Sequence, residues 1–211
     1  IKFAPINDDG DIIIEKLKEL LTPKTKIIAV THLSNVTGTI VPIKEIVEIA
    51  KKKNVPVLVD GCQSAPHLKI DVQDLDCDFF AFSAHKVYGP TGVGLLYAKK
   101  KWLEKLPPYI GGGGMISEVK KDKITYAPLP EKYEAGTMPT AEIVAFNESI
   151  KFIKSIGIEN IIKHEKELTN YALEKLKENN SVNIVGNPKN KAGVISFTIK
   201  GIHPHDISTI V

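Results

Sequence analysis

Val55 Pro56 Val57 Leu58 Val59 Asp60 Gly61, then Phe79 Phe80 Ala81 Phe82 Ser83, then Gly94 Leu95 Leu96 Tyr97 Ala98, decide the fold of this chain. Short runs of β-branched and aromatic residues bounded by Gly, Asp and Ser read as buried strands, and amphipathic helical stretches alternate with them. Pro42 suits the first turn of a helix running to Lys53, with Ile43, Ile46, Val47, Ile49 and Ala50 on one face. A helix between strands is the crossover that a parallel pair requires. Gly94–Ala98 follows Phe79–Ser83 too closely for such a crossover, so it is expected as an antiparallel neighbour.

Outward from this centre the same alternation continues. Lys26 to Thr31 reads as a strand, and Asp11 as the cap of a helix through Leu21 that stops near Pro23. Pro107 to Thr137 is rich in Pro and Gly and is expected to be a long loop. Helices follow at Thr140 to Ile156 and Glu159 to Glu178, strands at Val182 to Val185 and Val194 to Thr198, and a helix opens at His205. The expected fold class is α/β, a mostly parallel sheet flanked by helices. A boundary near Gly157 divides residues 1–157 from the start of a smaller α/β unit at 158–211. No internal repeat or low-complexity tract interrupts the pattern.

Composition narrows the function. The chain has 211 residues, 43% hydrophobic and 25% charged, which supports a folded core and not a disordered segment. No apolar run approaches the roughly 18 residues of a membrane helix, so no membrane partner is expected. The net charge is +3 and every basic residue is a lysine. Without arginine, an anion must be held by Lys, His, hydroxyls or backbone amides. Lys51 to Lys53 and Lys99 to Lys101 are read as lying late in helices, as solvated faces and not a nucleic-acid patch. Cys62 and Cys77 are too few for a disulfide framework, which points to a reducing compartment, the cytoplasm or an organelle interior.

In open α/β sheets ligands bind at the carboxyl ends of parallel strands. Asn35 follows the first strand, Asp60 closes the second, and Ser83, His85 and Lys86 follow the third. An acid, a lysine and an asparagine at neighbouring strand ends fit a pyridoxal phosphate site, with lysine as the Schiff-base residue and the carboxylate paired to the pyridine nitrogen. Taken singly, each residue has a blander reading. Asp60 would be a turn residue and Lys86 a surface lysine. Gly111 to Gly114 lacks the Gly-Lys-Ser/Thr of a phosphate loop. His203 and His205 have no partner cluster at metal-ligand spacing. His32 and His67 are read as structural or solvent-facing, and the two cysteines as packing residues.

Thr31 His32 Leu33 Ser34 Asn35 Val36 Thr37 Gly38, Val59 Asp60 Gly61 Cys62 Gln63 Ser64, and Phe82 Ser83 Ala84 His85 Lys86 Val87 Tyr88 Gly89 Pro90 Thr91 Gly92 together resemble the class V aminotransferase fold family. Gly112 Gly113 Gly114 Met115 Ile116 and Glu134 Ala135 Gly136 Thr137 add to the match. Within the family the sequence looks like the cysteine desulfurases of the SufS type, which include selenocysteine lyase activity. The resemblance covers essentially the whole chain. It implies the large domain of the type I pyridoxal phosphate enzymes over 1–157 and an incomplete small domain after it.

By that resemblance Lys86 is the Schiff-base lysine, Asp60 pairs with the pyridine nitrogen, and Gln63 meets the phenolic oxygen of pyridoxal 5'-phosphate. Ser83 and His85 hold its phosphate, Thr137 reaches the phosphate of the neighbouring subunit in a homodimer, and Asn35 contacts the carboxylate of the substrate, L-cysteine. The implied reaction gives alanine and a persulfide, passed to a sulfur-acceptor protein for iron-sulfur cluster assembly. Cys62 stands where the family usually has alanine. The family's persulfide-forming cysteine, substrate arginine, phosphate-binding threonine and ring-stacking histidine have no match here, so the chain is expected to be an internal piece, inactive alone. Another class V enzyme, such as a selenocysteine lyase or a small-amino-acid aminotransferase, and a noncatalytic fragment remain as alternatives.

Overall fold

The computed structural model describes residues 1–210. Its central sheet holds β1 (Ile28–Thr31), β2 (Val57–Asp60), β3 (Phe79–Ser83) and β4 (Gly94–Ala98) in that spatial order. β1, β2 and β3 run parallel, with Thr31 opposite Asp60 and Asp60 opposite Ala81. β4 is antiparallel to β3, Ser83 facing Gly94, as the short connection requires.

α1 (Ile14–Leu20) and α2 (Ile43–Lys51) supply the helical layer. Ile43, Ile46, Val47 and Ala50 of α2 pack with Leu17, Ile28, Val57, Val59, Cys77 and Phe80 in one core. Ile46 and Val59 are entirely buried, and each such side chain contributes roughly 1.5–3 kcal/mol. The sequence reading set the start of α1 too early. Its cap is Ile13, without a side-chain hydrogen bond, and the Asp11 carboxylate accepts from the Lys189 amide across the molecule.

Lys99 to Lys101 do not end a helix but open α4 (Lys100–Lys105), after a short α3 (Val72–Leu75) capped by Asp71. Lys99 instead reaches across to Asp76 and Asp78, a tertiary pairing that overrides the helix-dipole preference. The 107–137 segment is not a plain loop, since β5 (Ile116–Val119) and β6 (Ile124–Tyr126) form an antiparallel hairpin within it. Every residue of β5 is exposed, so the hairpin lacks the one-sided apolar pattern that would reveal it.

α5 (Thr140–Ile156) and α6 (Ile158–Lys177) meet at Gly157, whose φ of 86° a residue with a Cβ rarely adopts. β7 (Val182–Val185) and β8 (Ser196–Ile199) pair antiparallel, and α7 (Pro204–Ile210) follows. The 187–196 segment is tied to the loop after β1: Ile40 N–H donates to Asn190 O, Ala192 N–H to Gly38 O, and the Ser196 hydroxyl to Val36 O.

Candidate active site

The parallel order brings the carboxyl ends of β1, β2 and β3 side by side, so residues distant in sequence share one edge. Asp60, the last residue of β2, is exposed there. Its Oδ1 accepts the Cys62 amide at 2.9 Å, which orients the carboxylate, and no cation pairs with it among the described residues. Gly61 must be glycine. A Cβ there would lie 2.1 Å from Cζ of Phe80, whose ring fills the space beneath the turn. Gln63 is half-buried in this turn, closed by Ala65 N–H donating to Gly61 O at 2.8 Å.

β3 ends at Ser83 and passes directly into a 3-10 turn, Ala84–Val87. Ala84 and Val87 point inward and pack with Phe146 of α5, which leaves His85 and Lys86 exposed on the outer side. Tyr88 leaves the turn at φ 58°, and Gly89 N–H closes it on Ala84 O at 2.9 Å. Lys86 has neither a hydrogen bond nor an ion pair from its ammonium among the described residues. The Cys62 thiol lies 3.9 Å from the Ser83 hydroxyl, a contact that joins the ends of β2 and β3.

After β1, the Ser34 hydroxyl accepts the amides of Val36 at 3.2 Å and Thr37 at 3.1 Å, so Asn35 rides exposed on a tight turn. Asn35, Asp60, Gln63, Ser83, His85 and Lys86 thus all lie at the ends of three adjacent strands. Thr137 does not join them by any hydrogen bond among the described residues. It is exposed in the segment leading to α5, beside Gly136, whose amide donates to Gly113 O at 2.9 Å.

His32, expected to be structural or solvent-facing, is structural. It immediately follows β1 and is only 7% exposed, with its ring edge-on to Phe80. Its Nδ1 has no hydrogen-bond partner among the described residues, and burial lowers its pKa to about 4. The imidazole is therefore neutral at pH 7. The signal was its position directly after a buried strand. His67 is structural as well, its Nδ1 lying 2.8 Å from Oε1 of Glu165 on α6. Cys77 is fully buried, and desolvation raises its thiol pKa. His203 and His205 stack with ring centroids 4.9 Å apart, and no cluster of three metal-ligating side chains occurs among the described residues.

This strand-end group sits in a chain whose residues 1–211 match the aminotransferase class-V family model. The chain belongs to the class-V aminotransferase family. Across its whole length it is 48% identical to a probable cysteine desulfurase of Halalkalibacterium halodurans, covering 52% of that protein. The crystal structure of the cysteine desulfurase CsdA from Escherichia coli superposes with a TM-score of 0.91 at 34% identity, over 98% of this chain and 51% of that one. C-DES, solved with glycine covalently linked to its pyridoxal phosphate cofactor, gives a TM-score of 0.83 at 27% identity, over 94% of this chain and 53% of that one. The chain spans about half the length of the curated relatives it matches. These class-V structures share its mostly parallel sheet flanked by helices. Among the described residues no helix is long and apolar enough to cross a membrane.

Proposed function

We propose that this class-V chain is the cofactor-binding part of a pyridoxal phosphate-dependent cysteine desulfurase of the SufS type. One observation carries the reading: the carboxylate of Asp60 closes β2, and Ser83, His85 and a lysine without an ion pair among the described residues, Lys86, follow at the end of the adjacent parallel strand β3. The 48% identity to a probable cysteine desulfurase supports the choice among class-V activities.

The residues suit the cofactor chemically. A carboxylate fixed by one amide and free of any cation can pair with a pyridinium nitrogen. An exposed amine without a competing carboxylate is available for the cofactor's aldehyde carbon. Ser83 and His85 would hold the phosphate, a fitting pair in a chain without arginine, and Gln63 would hydrogen-bond the phenolic oxygen. Pyridoxal phosphate, when bound, supplies the electron withdrawal that labilises substituents at the substrate Cα.

The chain's own groups do the rest. Asp60 keeps the ring nitrogen protonated, Lys86 moves the proton at the substrate Cα, and Asn35 orients the carboxylate of L-cysteine. The nucleophile that receives sulfur as a persulfide is neither cysteine of this chain. Cys77 is buried and its thiol is favoured over the thiolate, while Cys62 is held in the turn beside Asp60. The thiolate, the contact of Thr137 with a second subunit's phosphate, and delivery to a sulfur-acceptor protein for iron-sulfur cluster assembly belong to the complete homodimer. In it, residues 1–157 form part of the large domain and 158–211 begin the small one.

The test is to add pyridoxal phosphate, reduce with borohydride and map the labelled peptide. Label on Lys86, absent in Lys86→Ala, is the expected result. Label on another lysine, or none, overturns the assignment.

A further inference from the structure

A cleft of about 450 Å³ opens between α6 and the 187–193 segment, with Ile40, His67 and Leu68 along its third side. It shares no residue with the strand-end group and owes its existence to the docking of α6 on the central unit. Lys166, Lys189 and Lys191 line it, and none of the three forms an ion pair with a carboxylate among the described residues. The acid in the lining is Glu165, whose Oε1 lies 2.8 Å from Nδ1 of His67, so one carboxylate faces three lysines. The cleft therefore carries an excess of uncompensated positive charge.

Lys191 makes this excess specific. Its ammonium donates to Thr37 O at 2.5 Å, so it is fixed in place by a neutral carbonyl, and burial lowers its pKa from the ordinary lysine value. A partly buried cation tied only to a carbonyl is stabilised by an anion entering beside it. The carboxamides of Asn170, Asn187 and Asn190 also line the cleft, and none makes a side-chain hydrogen bond among the described residues. They offer both donors and acceptors to a neutral polar body.

The opposite cleft, about 370 Å³ at the amino ends of the strands, lacks this property. There Asp76 takes Lys51 and Lys99, and Asp78 takes Lys101 at 3.2 Å, so three of the four lysines in its lining are already paired, and the fourth, Lys105, lies over the Trp102 ring.

We propose that the α6 cleft, with Lys166, Lys189 and Lys191, is a binding site for the phosphate monoester of a small polyhydroxylated molecule. Lysines act as point charges without the planar fork that selects carboxylates, which suits a tetrahedral dianion. The volume exceeds what a bare phosphate fills and falls within the roughly 300–1,000 Å³ of small-molecule sites. The amides provide for hydroxyls on the remainder. Because the 190–192 backbone and the Lys191 ammonium bond directly to residues 37–40, an occupant would also stiffen the loop that carries Asn35.

Calorimetric titration at low salt with glucose 1-phosphate, glucose and inorganic phosphate in separate arms tests this. Saturable binding of one equivalent of glucose 1-phosphate is expected, with inorganic phosphate weaker and glucose silent. Lys166→Gln and Lys189→Gln change exposed side chains, leave folding intact by circular dichroism, and should each weaken binding about tenfold, the loss of one charged contact. The Ser83→Ala/His85→Ala variant should bind unchanged. Absence of saturable binding, undiminished affinity in the lysine variants, glucose or bare phosphate binding as tightly as the ester, or loss of binding in Ser83→Ala/His85→Ala would each overturn the proposal. That last outcome would place the anion at the strand-end site and leave the cofactor assignment standing, whereas failure of borohydride labelling at Lys86 would leave the cleft untouched.

Discussion

Acidification should weaken this protein through His32 before its ion pairs fail. The ring is 7% exposed, its Nδ1 has no partner among the described residues, and burial lowers its pKa from 6.5 to about 4. A histidine with a lowered folded-state pKa binds its proton more readily in the unfolded chain. Stability is therefore full above about pH 6.5, falls as pH drops through the window between 6.5 and about 4, and loses nothing more from this residue below it. At about 1.36 kcal/mol per pH unit the whole window is worth roughly 3 kcal/mol, of which about 2 is lost between about pH 7.5 and about pH 5. Asp76, held down to about 2 by hydrogen bonds from Lys51 and then Lys99, has the opposite dependence. Its contribution is present above 3.8 and vanishes as pH falls toward about 2, outside the interval measured. Urea unfolding at the two pH values, for the natural chain and for His32→Leu, isolates the histidine because other titrating groups cancel in the difference. The leucine variant replaces an unsatisfied polar ring by an apolar group, so it should fold and lose about 2 kcal/mol of the pH dependence. Parallel pH profiles for the two chains would show that His32 takes its proton in the folded state at an ordinary pH and would refute the argument.

Two other outcomes follow from packing. Gly61→Ala drives a Cβ to 2.1 Å from the Phe80 ring, in a core where overpacking costs about 1–3 kcal/mol, so its urea midpoint should fall and pyridoxal phosphate binding weaken with it. Cys62 is half-buried and Cys77 is buried with its thiol pKa raised, so a thiol reagent under native conditions should modify Cys62 first and Cys77 only at the rate of unfolding. Equal rates, checked by mass spectrometry, would contradict the burial of Cys77.

Sequence alone determined the features that depend on neighbours along the chain. The β-branched and aromatic runs gave β2, β3 and β7, the brevity of the 84–93 link made β4 antiparallel, and helical periodicity with Gly157 gave the bounds of α5. Asp60, Ser83, His85 and Lys86 were legible as a group because parallel topology places the carboxyl ends of β1, β2 and β3 on one edge. What required the tertiary structure was set by contacts across the chain. The β5–β6 hairpin has no buried face to impose a period, and Asp11, two residues before the Ile13 cap, instead accepts the Lys189 amide from far along the sequence. The burial of His32 against Phe80, the capture of His67 by Glu165, and the three unpaired lysines beside α6 follow the same rule. Local pattern states which residues can be buried or charged, but only packing decides which polar atoms lose water and which charges find no partner.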